Sequence, residues 1–284
     1  MMIKLVKDAF IHFLNSNTFQ KGASLAYYTV FSFVPIIIVI ISLLGFFFGE
    51  QAVSGEIYYQ LNKIFGNDAS MQIQEIIKNH HINHNSLTTT FIGFAVLIFS
   101  ASQMFNEIHD SFNSIWSIKG KLKNSIFKYF STYLASFLIL ILSFFIILIS
   151  TLVSSFLIKY SHNFHFDYEF LYVYEHCLSF ATMSIVFTTM FKFLSDAKLH
   201  WKPTYIGGLI TSSLFIFGKI IIAWYIGYNH LSSTFGSAIF IVVLLLWVYY
   251  TSQILFLGAS FVKVISDKLG FEITVKNHIK KDIN

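Results

Sequence analysis

Between Lys219 and Lys263 the chain runs for 43 residues without one Asp, Glu, Lys or Arg. A bilayer-spanning helix needs about 20 apolar residues. This interval therefore holds the second half of one span, a tight turn over 228–235, and a complete further span. The intervals Lys21 to Glu50, Lys78 to Glu107 and Lys128 to Lys159 are also free of charge, and each is long enough to cross a bilayer. Only 12% of the 284 residues are charged, where a soluble domain carries about 25%. That excludes an ordinary soluble fold and predicts an all-α, polytopic membrane protein forming one integral domain over 1–284.

Six transmembrane helices are expected, at 25–48, 88–106, 130–158, 170–191, 205–227 and 236–262. An even number puts both termini on one side. Fifteen lysines fall on the face holding the termini and the 107–129 and 192–204 loops, against Lys63, Lys78 and Lys159 on the other. The positive-inside rule makes the richer face, and with it both termini, cytoplasmic. The first apolar run begins near Leu25 and extends for 24 residues, whereas a cleavable signal core has about 7–15, so the first span is expected to be retained.

Short amphipathic helices flank the spans. Ile3, Val6, Phe10, Phe13 and Leu14 recur at helical spacing among Lys4, Lys7 and His12, predicting an interfacial helix within 1–20. In the outer loop over 49–87, Ile57, Leu61, Ile64 and Phe65 form one stripe and Ile73, Ile76 and Ile77 a second. Gly66-Asn67-Asp68 between them breaks the helix, so a helical hairpin is expected. Ile108, Phe112, Ile115 and Trp116 form a further stripe, read as lying along the cytoplasmic membrane surface, and 263–284 reads as a cytoplasmic tail. No strand pattern is evident.

All nineteen basic residues are lysines. Without the guanidinium fork, bidentate phosphate or nucleic-acid recognition is disfavoured, and no nucleic-acid partner is expected. Membrane lipids are the expected partners, with anionic inner-leaflet headgroups meeting Lys119, Lys121, Lys123 and Lys128; a homo-oligomer is left open. The single cysteine, Cys177, excludes an intramolecular disulfide.

Lys219 is the one basic residue deep in a span, about nine residues and hence about 13 Å from the outer end of the fifth helix. Glu175 lies about six residues, or about 9 Å, into the fourth helix from the same side. An intramembrane charge marks a functional site by default, so Lys219 is expected to face a polar interior cavity and pair with Glu175, as a substrate counter-charge or coupled proton site. A fixed ion pair orienting two helices is the alternative. Polar residues repeat at helical spacing nearby: Ser24, Tyr28, Ser32 and Pro35 on the first span, Ser100, Gln103 and Glu107 on the second, Gly208 and Ser212 on the fifth, and Tyr249, Ser252 or Gln253, and Ser260 on the sixth. Facing one another, such stripes would enclose a polar path, and Pro35 would free the Phe31 carbonyl as an acceptor. Close helix packing through small and hydroxyl residues explains the same pattern.

Other chemistry fits poorly. His80, His81 and His84 lack an acidic or cysteine partner and sit among asparagines, so no metal site is expected. The acids are scattered, and no phosphate-binding glycine loop or nucleophile elbow occurs, so neither an enzyme nor a cofactor is expected.

The segment Ala23-Ser24-Leu25-Ala26-Tyr27-Tyr28-Thr29-Val30-Phe31-Ser32-Phe33-Val34-Pro35 resembles the opening signature of the YihY/BrkB family of bacterial inner-membrane proteins, once labelled ribonuclease BN. Phe112-Asn113-Ser114-Ile115-Trp116, Trp201 with Gly207 and Gly208, Phe235-Gly236-Ser237-Ala238, Leu244 to Tyr249 and Leu257-Gly258-Ala259 are similar to its later motifs, in order. Ser260 stands where the family typically has Glu, and Ser195 where it often has proline. The resemblance implies six helices and an inner-membrane location, with envelope and lipid-export associations. The expected function is a transporter-like protein moving an anionic lipid, envelope precursor or other amphipathic solute through a polar cavity containing Lys219; the alternative is a non-transporting membrane scaffold or envelope-assembly partner.

Overall fold

Long stretches without charge become long helices. The computed structural model describes residues 2–48, 50–65, 87–118, 120–122, 168–228, 239–276 and 279–281, with parts of 67–75 and 142–150. In chain order the elements are α1 (Met2–Asn15), α2 (Thr18–Phe48), α3 (Glu50–Phe65), α4 (Leu87–Ile115), β1 (Gly120–Leu122), α5 (Tyr168–Phe193), β2 (Ala197–Lys198), α6 (Trp201–Tyr228), α7 (Ile239–Lys268), β3 (Thr274–Val275) and β4 (Ile279–Lys281). The stretches expected as spans at 25–48, 88–106, 170–191 and 205–227 are helical, as is 236–262 from Ile239 onward; 130–158 lies largely outside the described residues. Among the described residues two segments are long and apolar enough to cross a membrane, Trp201–Ile222 and Ile241–Lys268. Only 33% and 39% of their apolar windows are buried inside the chain. A soluble core helix would be mostly covered, so the remaining apolar surface calls for a lipid solvent.

The chain divides into two compact units. The first comprises Met1–Thr18, Ile108–Phe217 and Gln253–Asn284, the second Phe19–Glu107 and Gly218–Ser252. In the first, α1 packs through Ala9 and Leu5 against Phe261, Ile265, Ile206 and Ile210. Phe13, read as part of the lipid-facing stripe of α1, is buried, while Ile3, Val6, Phe10 and Leu14 remain exposed. One helix face thus serves the protein and the other stays open. The His12 ring donates from Nε2 to the Ile115 carbonyl at 2.7 Å, and Lys268 pairs with Asp8 at 3.1 Å.

Three expectations change. Ile108, Phe112 and Ile115 continue α4 and Trp116 follows its end, and all four are buried in the first unit, so this stripe packs against protein rather than along a membrane surface. Strands are present although no alternating pattern announces them, because each is only two or three residues long. β1 pairs antiparallel with β4 and β2 with β3, so the expected tail folds back on two earlier segments. That tail also starts later, since α7 runs to Lys268 and closes at Gly270, whose φ of 72° is the left-handed value glycine adopts without strain. The Phe271 and Gly270 amides then donate back to Ser266 and Asp267, a Schellman closure. Of the hairpin expected within 49–87, α3 carries the first stripe, and Ile73, Ile76 and Ile77 lie outside the described residues.

Candidate functional site

Lys219 sits on α6 and is exposed, as are Phe217, Ile220 and Ile221 beside it. No ion-pair or hydrogen-bond partner of its amine occurs among the described residues. Glu175 lies on α5 in the first unit and Lys219 in the second. Lys121 falls in β1, while Lys119, Lys123, Lys128, His80, His81 and His84 lie outside the described residues.

The polar stripes are mostly satisfied within their own helices. Ser32, buried, donates to the Tyr28 and Thr29 carbonyls at 3.1 Å each. Ser212 donates to Gly208 at 2.8 Å, and Ser260 to Phe256 at 3.1 Å. Hydroxyls bonded one turn back do not need water or a ligand. Gln253 differs: its Nε2 donates to the Thr18 carbonyl at 3.3 Å, joining α7 to the start of α2, while its Oε1 is buried with no partner among the described residues. Tyr28, Gln103, Glu107 and Tyr249 are half-buried, and α2 continues through Pro35. In the second unit Thr29 Oγ1 reaches Met104 Sδ at 3.4 Å, joining the first two stripe-bearing helices beside Gln103.

Glycines set the packing of the first unit. A Cβ at Gly208 would lie 2.2 Å from Thr188 Oγ1 and 3.1 Å from both the Ser184 carbonyl oxygen and the Thr188 nitrogen. A Cβ at Gly258 would lie 1.9 Å from Thr211 Oγ1 and 2.9 Å from Phe191 Cζ. α5, α6 and α7 therefore approach closely where small residues permit it, the packing mode of membrane helices.

The most connected polar group was not anticipated from sequence. α4 ends in a Schellman closure at Ser117, with Ile118 N–H donating to the Asn113 carbonyl at 2.8 Å. One turn apart on this helix end, His109 and Asn113 both face Asp196, just past α5. Asp196 N–H donates to Asn113 Oδ1, and Asn113 Nδ2 donates to Asp196 Oδ2, both at 3.0 Å, which fixes the amide orientation. His109 Nε2 lies 3.3 Å from Asp196 Oδ1, and Nδ1 lies 3.4 Å from Asp110 Oδ1. The tail closes the group: Lys276 N–H donates to the Asp196 carbonyl at 2.9 Å, and its Nζ to the Phe193 and Ser195 carbonyls at 3.2 and 2.5 Å. Those carbonyls lie at the last residue of α5 and just beyond it, where cations are favoured. Ser195 Oγ accepts from the Ala197 N–H at 3.2 Å, a bond the proline common in the family could not accept.

Charge follows from this geometry. Burial alone would depress His109, but hydrogen bonds to Asp110 and Asp196 and their charges outweigh it and lift the imidazole to about 9. Burial would raise Asp196, yet the His109 bond and charge, Asn113 and Lys276 hold it below the usual carboxylate range. At neutral pH the pair is a buried imidazolium and carboxylate. Both ring N–H groups then donate to acids. Once the ring is neutral, Nδ1 can instead accept from Asn113 Nδ2, which lies 3.3 Å away.

Family-like residues frame this group. Trp116 Nε1 donates to the Ala259 carbonyl at 3.0 Å, and Phe112, Trp116 and Phe191 form one aromatic cluster with centroids 5.0 to 6.5 Å apart. Long apolar helices, glycine-mediated packing and a buried charged junction between helix ends define a helical membrane protein. The chain belongs to the BrkB family: the family description "Virulence factor BrkB" matches residues 9–282. It is 23% identical over 262 residues to a UPF0761 membrane protein of Saccharophagus degradans, covering 90% of this chain and 58% of that one. A Psychrobacter UPF0761 membrane protein is 28% identical over 88% of this chain and 46% of its own length. The chain thus spans about half the length of several curated relatives it matches. A Histophilus somni UPF0761 membrane protein, 26% identical, is covered over 91% of its length. No solved structure matches the chain.

Proposed function

We propose that the chain is a six-span inner-membrane protein with cytoplasmic termini that moves an anionic amphipath, a lipid or envelope precursor, along a lipid-accessible face containing Lys219. The lysine bias between loops supports the orientation. The observation that carries the function is the exposed Lys219 among exposed Phe217, Ile220 and Ile221. A cation at that depth costs about 2.5 to 3.5 kcal/mol on insertion scales, and an anionic headgroup passing beside it would offset that cost. The test is translocation of a fluorescent phosphatidylglycerol in proteoliposomes. Wild type should exceed protein-free vesicles, Lys219→Met should fall to their rate, and Lys219→Arg should retain transport. A wild-type rate equal to empty vesicles would refute the reading.

A second reading, a non-transporting scaffold, is favoured by the stripe hydroxyls. Ser32, Ser212 and Ser260 bond to carbonyls of their own helices, as packing residues do. It predicts that small impermeant thiol reagents leave single cysteines at Ser32 and Ser212 unlabelled.

A further inference from the structure

Where α5 ends and α6 begins, lysines from three segments gather. Lys192 occupies the last turn of α5, Lys198 lies in β2, and Lys276 follows β3. Lys192 Nζ donates to the Leu199 carbonyl and stands 5.0 Å from the centroid of the Trp201 ring. Lys276 Nζ is likewise held by carbonyls, those of Phe193 and Ser195. Asp196, the nearby carboxylate, is already engaged by His109 and Asn113.

The ammonium groups feel one another. Lys192 is depressed first by burial and then by the charge of Lys198. Lys276 is depressed by burial, partly restored by Asp196 and lowered again by Lys192. Like charges brought together on purely structural grounds cost stability, and an anion beside them would relieve that cost.

The surroundings indicate which anion. Trp201 is 60% exposed at the first residue of a segment able to cross a membrane, and Lys202 beside it is exposed. Phe193 and Tyr205 are also exposed, and the Phe193 and Trp201 rings meet edge to face at 6.0 Å. Aromatic rings with lysines at the end of an apolar span are the pattern of a headgroup boundary, where an amphipathic ring has one side in acyl chains and the other in water. Lysines act there as point charges toward phosphate.

We propose that Lys192, Lys198, Lys202 and Trp201 form a binding site for the phosphodiester headgroup of an anionic phospholipid. Phe193 and Tyr205 line its acyl side. A zwitterionic headgroup carries its own ammonium and would gain little from the lysines. This site does not depend on transport past Lys219.

The experiment measures association of spin-labelled phosphatidylglycerol and phosphatidylcholine with the full chain in vesicles of phosphatidylcholine. Wild type should prefer phosphatidylglycerol, and Lys192→Gln with Lys198→Gln and Lys202→Gln should bring the two lipids toward parity. The expected loss is on the order of fivefold per charge removed. Because Lys192 also bonds Leu199, the pair Lys198→Gln with Lys202→Gln, both at exposed positions, should show a partial loss while keeping the fold. Lys4→Gln with Lys7→Gln should retain the preference. An undiminished preference in the triple variant, or none in wild type, would overturn the site. Displacement of the labelled lipid by millimolar inorganic phosphate at constant ionic strength would overturn the lipid assignment.

Discussion

Asp196 and Lys219 carry opposite charges in opposite circumstances. Asp196 is buried and met by His109, Asn113 and Lys276 from two other segments. Lys219 is exposed within an apolar helix. The contrast separates two uses of charge in a membrane protein. A charge surrounded by its own chain's donors ties segments together, whereas one facing outward from a span answers to something the chain does not itself supply.

The largest effects are expected at the junction. Asp196→Ala leaves the His109 cation without its buried partner and should cost about 3 to 5 kcal/mol of stability, read as the unfolding midpoint in detergent. Next comes pH. The folded imidazole at about 9 lies above its ordinary 6.5, so its contribution is complete below pH 6.5 and is lost as pH rises through about 9. The gap corresponds to about 3 kcal/mol at most. Wild type should therefore lose stability between pH 7 and 10 while His109→Gln shows no such loss; identical pH profiles would remove the imidazolium from the account. Asp196, held low, is lost only at acid pH.

Gly208→Leu should destabilise by about 1 to 3 kcal/mol, because the Ser184 and Thr188 backbone atoms facing its Cβ cannot rotate away. Gly55, in α3 with open space around it, should accept Leu with a small gain in stability. Equal effects at the two glycines would mean that the close approach of α5 and α6 is not what holds the first unit.

Elements generated by local pattern were legible in the sequence. Long apolar runs marked α2, α4, α5, α6 and α7, and the glycine after α7 is a recognisable stop signal. The junction was not legible, because His109 and Asp196 are 87 residues apart and nothing in the periodicity of either segment pairs them. Asn113 and Trp116 were visible as parts of a family-like motif, but not as the groups that bond Asp196 and Ala259. Periodicity also placed the Ile108 to Trp116 stripe against lipid, since a helix face apolar toward protein looks the same as one apolar toward membrane. The serine stripes illustrate the converse: their spacing is real, yet Ser32 and Ser212 bond to their own helices.

The most direct test sets Lys219→Met beside Asp196→Ala in the same lipid nanodiscs at pH 7 and compares their unfolding midpoints with wild type. Lys219→Met is expected to stay within about 0.5 kcal/mol of wild type while Asp196→Ala loses several times more. A Lys219→Met protein as unstable as Asp196→Ala would show that the span lysine is a structural charge like the junction, and would contradict the division of roles proposed for them.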